Sequence, residues 1–133
     1  MKDREALIYL LQNESAISAS LAVRGDSKPA VYYGQIPKTE SGKPCIVILR
    51  DATTEEATVI KNSAYTLNVY GNSLSEAEDL SRTIFNTLNG SKGDASGFAF
   101  GKIIVDELGS FTDIENYFSV LSLNFQFRRH QEN

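Results

Sequence analysis

Ala64-Tyr65-Thr66-Leu67-Asn68-Val69-Tyr70-Gly71-Asn72-Ser73-Leu74-Ser75-Glu76-Ala77 decides the fold. Tyr65, Leu67 and Val69 share one face of an extended chain, with Thr66 and Asn68 on the other, the period of a half-buried strand. Gly71-Asn72 stops it. Ser73 and Glu76 have the spacing of a capping box, in which the hydroxyl accepts from the amide three residues on and the carboxylate reaches back. Leu74, Ala77, Leu80 or Ser81, Ile84 and Leu88 then recur at helical spacing, while Glu78, Asp79, Arg82 and Asn86 form a polar face. Asn89-Gly90 closes the helix with residues that tolerate left-handed dihedrals. A strand therefore turns tightly into an amphipathic helix of about four turns, and that helix is expected to lie across the sheet to which the strand belongs.

Working outward, Asp3 to Gln12 reads as a first helix, with Ala6, Leu7, Leu10 and Leu11 as its apolar stripe. Ile17 to Val23 is a short apolar stretch, and Arg24-Gly25-Asp26-Ser27-Lys28-Pro29 is a turn. The Arg-Gly-Asp triplet also spells a cell-adhesion motif, but such triplets are common by chance and nothing else in the chain reads as secreted. Ala30 to Gly34 is a short strand, and Pro37 to Pro44 a polar loop. Cys45 to Arg50 is a continuous apolar run of strand length. Asp51 to Ala57 is expected to be a hairpin loop, with Thr58 to Tyr70 returning from it and irregular at Lys61-Asn62-Ser63.

Beyond the long helix, Gly90 to Gly97 reads as a flexible loop and Phe98 to Glu107 as a strand. Leu108 to Glu115 reads as a connection, with Gly109 and Asp113 as turn residues. Tyr117 to Arg128 is the longest strand pattern: Leu121, Leu123, Phe125 and Phe127 share one face, Ser122, Asn124, Gln126 and Arg128 the other. This order predicts one domain over residues 1–133. Its class is α+β: a largely antiparallel sheet with an N-terminal helix and one long amphipathic helix packed on one face. Leu67, Val69, Ile84, Leu88, Leu121, Leu123 and Phe125 are expected in a single core.

The composition fits that class. With 133 residues, 41% of them hydrophobic and 23% charged, the chain is long enough for a real core. No apolar run approaches the roughly 18 residues of a membrane span. The start, Met1-Lys2-Asp3-Arg4-Glu5, lacks the charge pattern and cleavage site of a signal peptide. Cys45 is the single cysteine, so no internal disulfide forms, in keeping with synthesis in the cytosol. A net charge of −4 and a sequence pI of about 5.0 argue against a protein built to grip nucleic acid.

Catalytic chemistry finds little support. His130 is the only histidine and stands in a polar tail. Cys45 opens an apolar strand, where a lone thiol is ordinarily inert packing. No set of His, Cys or carboxylates has metal-ligand spacing. Glu55-Glu56 and Glu76-Glu78-Asp79 read as a wet loop and a helix start, where acids suit the dipole. The chain is thus expected to be no enzyme and to hold no cofactor and no metal. Gly97-Phe98-Ala99-Phe100 copies the centre of the RNA-recognition-motif signature, whose aromatics stack on bases. Ser96 replaces its basic residue, Gly101 its valine and Ile103 its last aromatic. A loop followed by a strand is the plainer reading. A small RNA-binding domain resting on Gly97 to Phe100 is one alternative function, and a cytosolic ligand-binding α+β domain another.

Laid out in order, the elements resemble those of the tail completion, or tail terminator, proteins of long-tailed bacteriophages and prophages. The resemblance rests on Val31-Tyr32-Tyr33-Gly34-Gln35-Ile36-Pro37 after a short helix and on the apolar strand Cys45 to Arg50. It continues through Tyr65 to Gly71 running into Ser75-Glu76-Ala77-Glu78-Asp79-Leu80, the closing Leu88-Asn89-Gly90, an acidic connection, and the alternating Tyr117 to Phe127. It covers nearly the whole chain after about Val31 and is one of pattern and order. Tyr70-Gly71-Asn72 departs from it, since many members carry a tryptophan-like aromatic there. The resemblance implies a structural protein without cofactor, a hexameric ring that caps the tail tube and joins it to the head connector. Its partners would be further copies of itself, the tail tube protein and the head-connector protein. DNA would pass through without specific binding, and the protein would reside in the virion tail after assembly in the bacterial host cytoplasm. An acidic lining suits such a passage, because it offers no contacts to phosphate. In such a ring the two polar loops are the expected docking segments, through Asp51, Thr53, Thr54, Glu55 and Glu56 in one and Lys92 and Asp94 in the other.

Overall fold

The computed structural model describes residues 2–37, 42–55, 60–91, 93–95, 98–113 and 116–129. Helices α1 (Lys2–Asn13) and α2 (Ser15–Ser18) precede strands β1 (Val31–Tyr33), β2 (Cys45–Glu55) and β3 (Ile60–Gly71). Helix α3 (Leu74–Leu88) follows, then β4 (Gly93–Ala95), β5 (Phe98–Asp113) and β6 (Asn116–Arg129). These strands form a sheet of order β1-β2-β3-β6-β5-β4. Only β1 and β2 run parallel; the other neighbours are antiparallel. The class is α+β with a largely antiparallel sheet, as the element order predicts.

β6 lies between β3 and β5, so the connection from β3 through α3 to the edge strand β4 and on to β5 carries α3 over the sheet and leaves a slot that the last strand fills. Register pairs Leu67 with Leu121 and Tyr65 with Leu123, and all four side chains are buried. Leu80, Ile84 and Leu88 of α3 pack in the same core, and Ala77 is buried on the same helix. Ala6, Leu7 and Leu11 of α1 and Ile17 of α2 complete the same core. All three helices therefore cover one face of the sheet. Of the seven residues expected in this core, six are buried there; the side chain of Phe125 lies outside the described residues.

α3 is fixed at both ends. At its start the Glu76 amide donates to Ser73 Oγ at 3.1 Å. The Glu76 carboxylate reaches one residue further than a capping box requires, accepting from the Asn72 amide at 2.6 Å. At its end only Gly90 takes a left-handed conformation (φ +84°), the dihedral glycine adopts without a Cβ penalty. Asn89 stays extended, and its Oδ1 accepts from the Val105 amide at 2.9 Å. With Gly90 N–H donating to Ile103 O at 2.7 Å, this ties the helix end to β5.

Three expectations about loops are corrected. Asp51 to Glu55 is not a hairpin loop: β2 bulges between Arg50 and Ala52, then continues in register, Ala52 opposite Ala64 and Glu55 opposite Lys61. Thr53 and Thr54 are good strand formers, and opposite charges stand across from each other at the end. Lys61-Asn62-Ser63 is correspondingly regular, paired to Phe127, Gln126 and Phe125. The glycine-rich segment contains β4, with Asp94 opposite Ala99. The connection drawn at Leu108 to Glu115 is strand as far as Asp113. A bulge between Glu107 and Gly109 absorbs Leu108, and Gly109 supplies the φ of +144° that a side chain would resist.

Candidate assembly surface

Asp51, Thr53, Thr54 and Glu55 thus belong to the extended end of the β2–β3 hairpin, and Asp94 to the edge strand β4. Glu56 and Lys92 lie outside the described residues. The structure does not gather these positions into one site: β2 and β4 stand on opposite sides of β3, β6 and β5. Phe98 and Phe100 stand inside the sheet, opposite Arg129 and Phe127 on one side and Ala95 and Gly93 on the other. This agrees with the strand of the plainer reading; Ser96 and Gly97 lie outside the described residues.

The face of the sheet away from the helices is partly covered. Ala30, Tyr32, Cys45 and Val47 make a second small core there, with Ala22, Ile36 and Tyr70 packed against it. Burial pushes the Cys45 thiol up to about 11, despite the opposing field of Lys43, so it is a poor nucleophile at neutral pH. Next to this core an aromatic row crosses the strands. Tyr70 and Phe118 are register partners with ring centroids 5.3 Å apart. Phe118 and Phe111 follow at 5.5 Å. Lys43 Nζ stands 5.9 Å from the Tyr70 ring centre and donates to Asn116 Oδ1 at 2.8 Å.

The Arg24-Gly25-Asp26 turn is closed on itself. Arg24 Nε and Nη2 donate to the two Asp26 carboxylate oxygens at 3.1 and 2.5 Å. Arg24 Nη1 donates to Val31 O at 2.8 Å. The guanidinium bond, followed by the Lys28 amide, holds the Asp26 carboxyl down at about 2. A fork engaged in this way ties the turn to the β1 edge of the sheet.

At the other side of the sheet, a groove of about 450 Å³ runs between α3 and the bulged part of β5. Glu78, Asp79 and Arg82 line its helix wall, Glu107, Leu108 and Ser110 its strand wall, and Ser81 and Ser119 its floor. Arg82 Nε donates to Glu107 Oε2 at 3.3 Å. A second groove, of about 410 Å³, lies on the other flank of α3, between Ser20, Pro44 and Thr83. Both are lined by hydroxyls and carboxylates. The sequence reading named Glu78, Asp79 and Arg82 only as a wet helix face. An apolar residue just before a glycine within a strand, Leu108-Gly109, was the available sign of a bulge.

Among the described residues no helix is long and apolar enough to cross a membrane. No family model matches the chain, and no curated protein matches it. A solved structure known only by a sequence identifier is similar, with a TM-score of 0.63 over 98% of this chain and 96% of that one at 11% identity. At that identity the likeness is one of fold, and it extends across the entire domain.

Proposed function

We propose that this protein is a structural component of a phage or prophage tail, forming a ring that caps the tail tube and joins it to the head connector. The observation that carries the reading is the order of elements. The short helix, the tyrosine strand ending at Gly34, the apolar strand from Cys45, the strand that turns through Gly71 into α3, and the long alternating last strand follow one another as the resemblance requires. The net charge of −4 supports it further, since a ring threaded by DNA functions best without phosphate contacts. The grooves beside α3 are of a kind that receives protein surface, with carboxylates and hydroxyls at their walls.

The test is the native mass of the purified chain, alone and with tail tube protein, by sedimentation or native mass spectrometry. A six-membered ring is the expected result. A chain that stays monomeric under both conditions, or tails of normal length made in its absence, would overturn the reading.

A further inference from the structure

A closed ring needs two different, complementary surfaces on opposite sides of each protomer. The sheet has two such ends. At one lies the Val23–Lys28 turn, bound to β1 through Arg24 and Val31. At the other lies β5, whose outer side, among the described residues, pairs with β4 at Phe98 to Phe100 and bonds the α3 C-terminus at Ile103 and Val105. Among the described residues no strand pairs with that side from Asp106 to Asp113. An exposed strand edge of this kind is a surface for association.

The two ends match in chemistry. Val23 is 68% exposed and Leu108 57%, the two most exposed large apolar side chains among the described residues. The groove beside Leu108 carries Glu78, Asp79 and Glu107 against Arg82, an excess of two carboxylates over cations. The turn carries Arg24 and Lys28 against Asp26, an excess of one cation. The turn is also pre-formed. The Arg24 amide donates to Lys28 O at 2.8 Å, the Lys28 amide donates to Asp26 Oδ1 at 3.2 Å, and Ser27 holds φ +69°. Little entropy is then lost when it seats.

We propose that one copy docks head to tail on the next, the Val23–Lys28 turn of the first entering the groove between α3 and the Leu108 bulge of the second. The proposal rests on the ring reading above and names the contact within it. Val23→Cys and Leu108→Cys are both at exposed positions and leave the core intact, and the buried Cys45 stays silent at neutral pH. Under mild oxidation, a mixture of the two single variants should give the mixed disulfide in large excess over either self-disulfide. The double variant should give a ladder that ends at the ring. Self-linking of Leu108→Cys alone would replace the proposal with a two-fold β5–β5 contact. A chain that sediments as a ring but yields no mixed disulfide would overturn the contact and leave the ring standing. A chain that remains monomeric with and without tube protein would remove both.

Discussion

Ser119 Oγ stands 3.2 Å from Ser81 Oγ, bonding α3 to β6 through two buried hydroxyls. Ser119 is also 3.3 Å from the Gly109 carbonyl, so the pair links the helix, the last strand and the bulge that shapes the groove. Two hydroxyl protons are enough for one bond between the serines and one to Gly109. Ser119→Ala removes the shared partner and strands both neighbours, and should cost about 1–2 kcal/mol. Ser81→Ala leaves Ser119 its carbonyl and should cost less. Urea titration of the two variants checks the order. Equal costs would mean that the carbonyl contact contributes nothing.

Leu88 closes the core at the end of α3, buried against the sheet. Truncation to alanine removes its packing and leaves a cavity in a region held by Gly90 and Asn89, so collapse is limited. A loss of about 2–5 kcal/mol is expected, read as a lower denaturant midpoint at unchanged slope. A loss well below 1 kcal/mol would place the C-terminal turn of α3 outside the core.

Gly71 joins the last pair of β3 to the start of α3. A Cβ there would lie 2.7 Å from the Ala77 nitrogen and 3.0 Å from the Ser73 carbonyl oxygen. Both are backbone atoms of a capped helix start, so neither yields as a flexible side chain would. Gly71→Ala should therefore destabilise by about 1–3 kcal/mol by pushing α3 off the strand. Thermal unfolding measures this, and a neutral result would show that the junction is loose.

The part of this fold written in the sequence is the part that buries apolar surface. Tyr65, Leu67 and Val69 alternate, as do Leu121 and Leu123, because one face meets a core; α3 announces itself by its cap and by Ala77, Leu80, Ile84 and Leu88. Asp51 to Glu55 and Leu108 to Asp113 carry no such alternation. They are strands because their neighbours continue, with Ala64 to Lys61 and Val120 to Asn116 offering partners. That information is non-local and leaves no period in the segment itself. The groove was illegible for the same reason: it joins Asp79 on a helix to Leu108 on a bulge that only the register reveals. Val23 reads in the sequence as the end of an apolar stretch, yet it is exposed beside the Arg24–Asp26 clamp.

That clamp predicts a pH response. Asp26 has its carboxyl lowered in the folded protein from 3.8 to about 2, first by the Arg24 hydrogen bond. A lowered carboxylate stabilises the fold above its unfolded value and loses that contribution as pH falls through its folded value. The turn should thus keep its geometry at pH 5 and relax between about pH 4 and 2. The carboxyl is open to solvent, so the effect is local. Carbon-detected NMR titration should show Asp26 protonating well below 3.8, and the Arg24→Lys variant should return it toward the ordinary range. An Asp26 midpoint near 3.8 in the unsubstituted protein would show that the clamp is absent in solution.

The end of the β2–β3 hairpin is part of the ladder and a candidate docking surface at once. Had Asp51 to Ala57 been a loop, shortening it would leave the subunit intact. Because Ala52 to Glu55 pair with Ala64 to Lys61, deleting them removes the outer rungs of the β2–β3 ladder, beyond the Ile46–Ile48 stretch that β1 borders. That deletion should destabilise the subunit, so a failure of assembly would say nothing of docking. Charge reversal avoids this. Glu55→Lys faces Lys61 across the ladder and should cost about 0.2–1 kcal/mol, leaving the subunit folded. Under the proposed function, a folded ring carrying Glu55→Lys and Glu56→Lys should assemble yet fail to join tube to connector. The assay is complementation of a phage lacking its own terminator, with tail length and head attachment scored by electron microscopy. Free heads beside finished or overlong tails are the expected outcome, with ring mass unchanged. Normal infectivity from the double reversal would remove this end of the hairpin from the docking surface while leaving the Val23–Leu108 contact to be judged on its own disulfide.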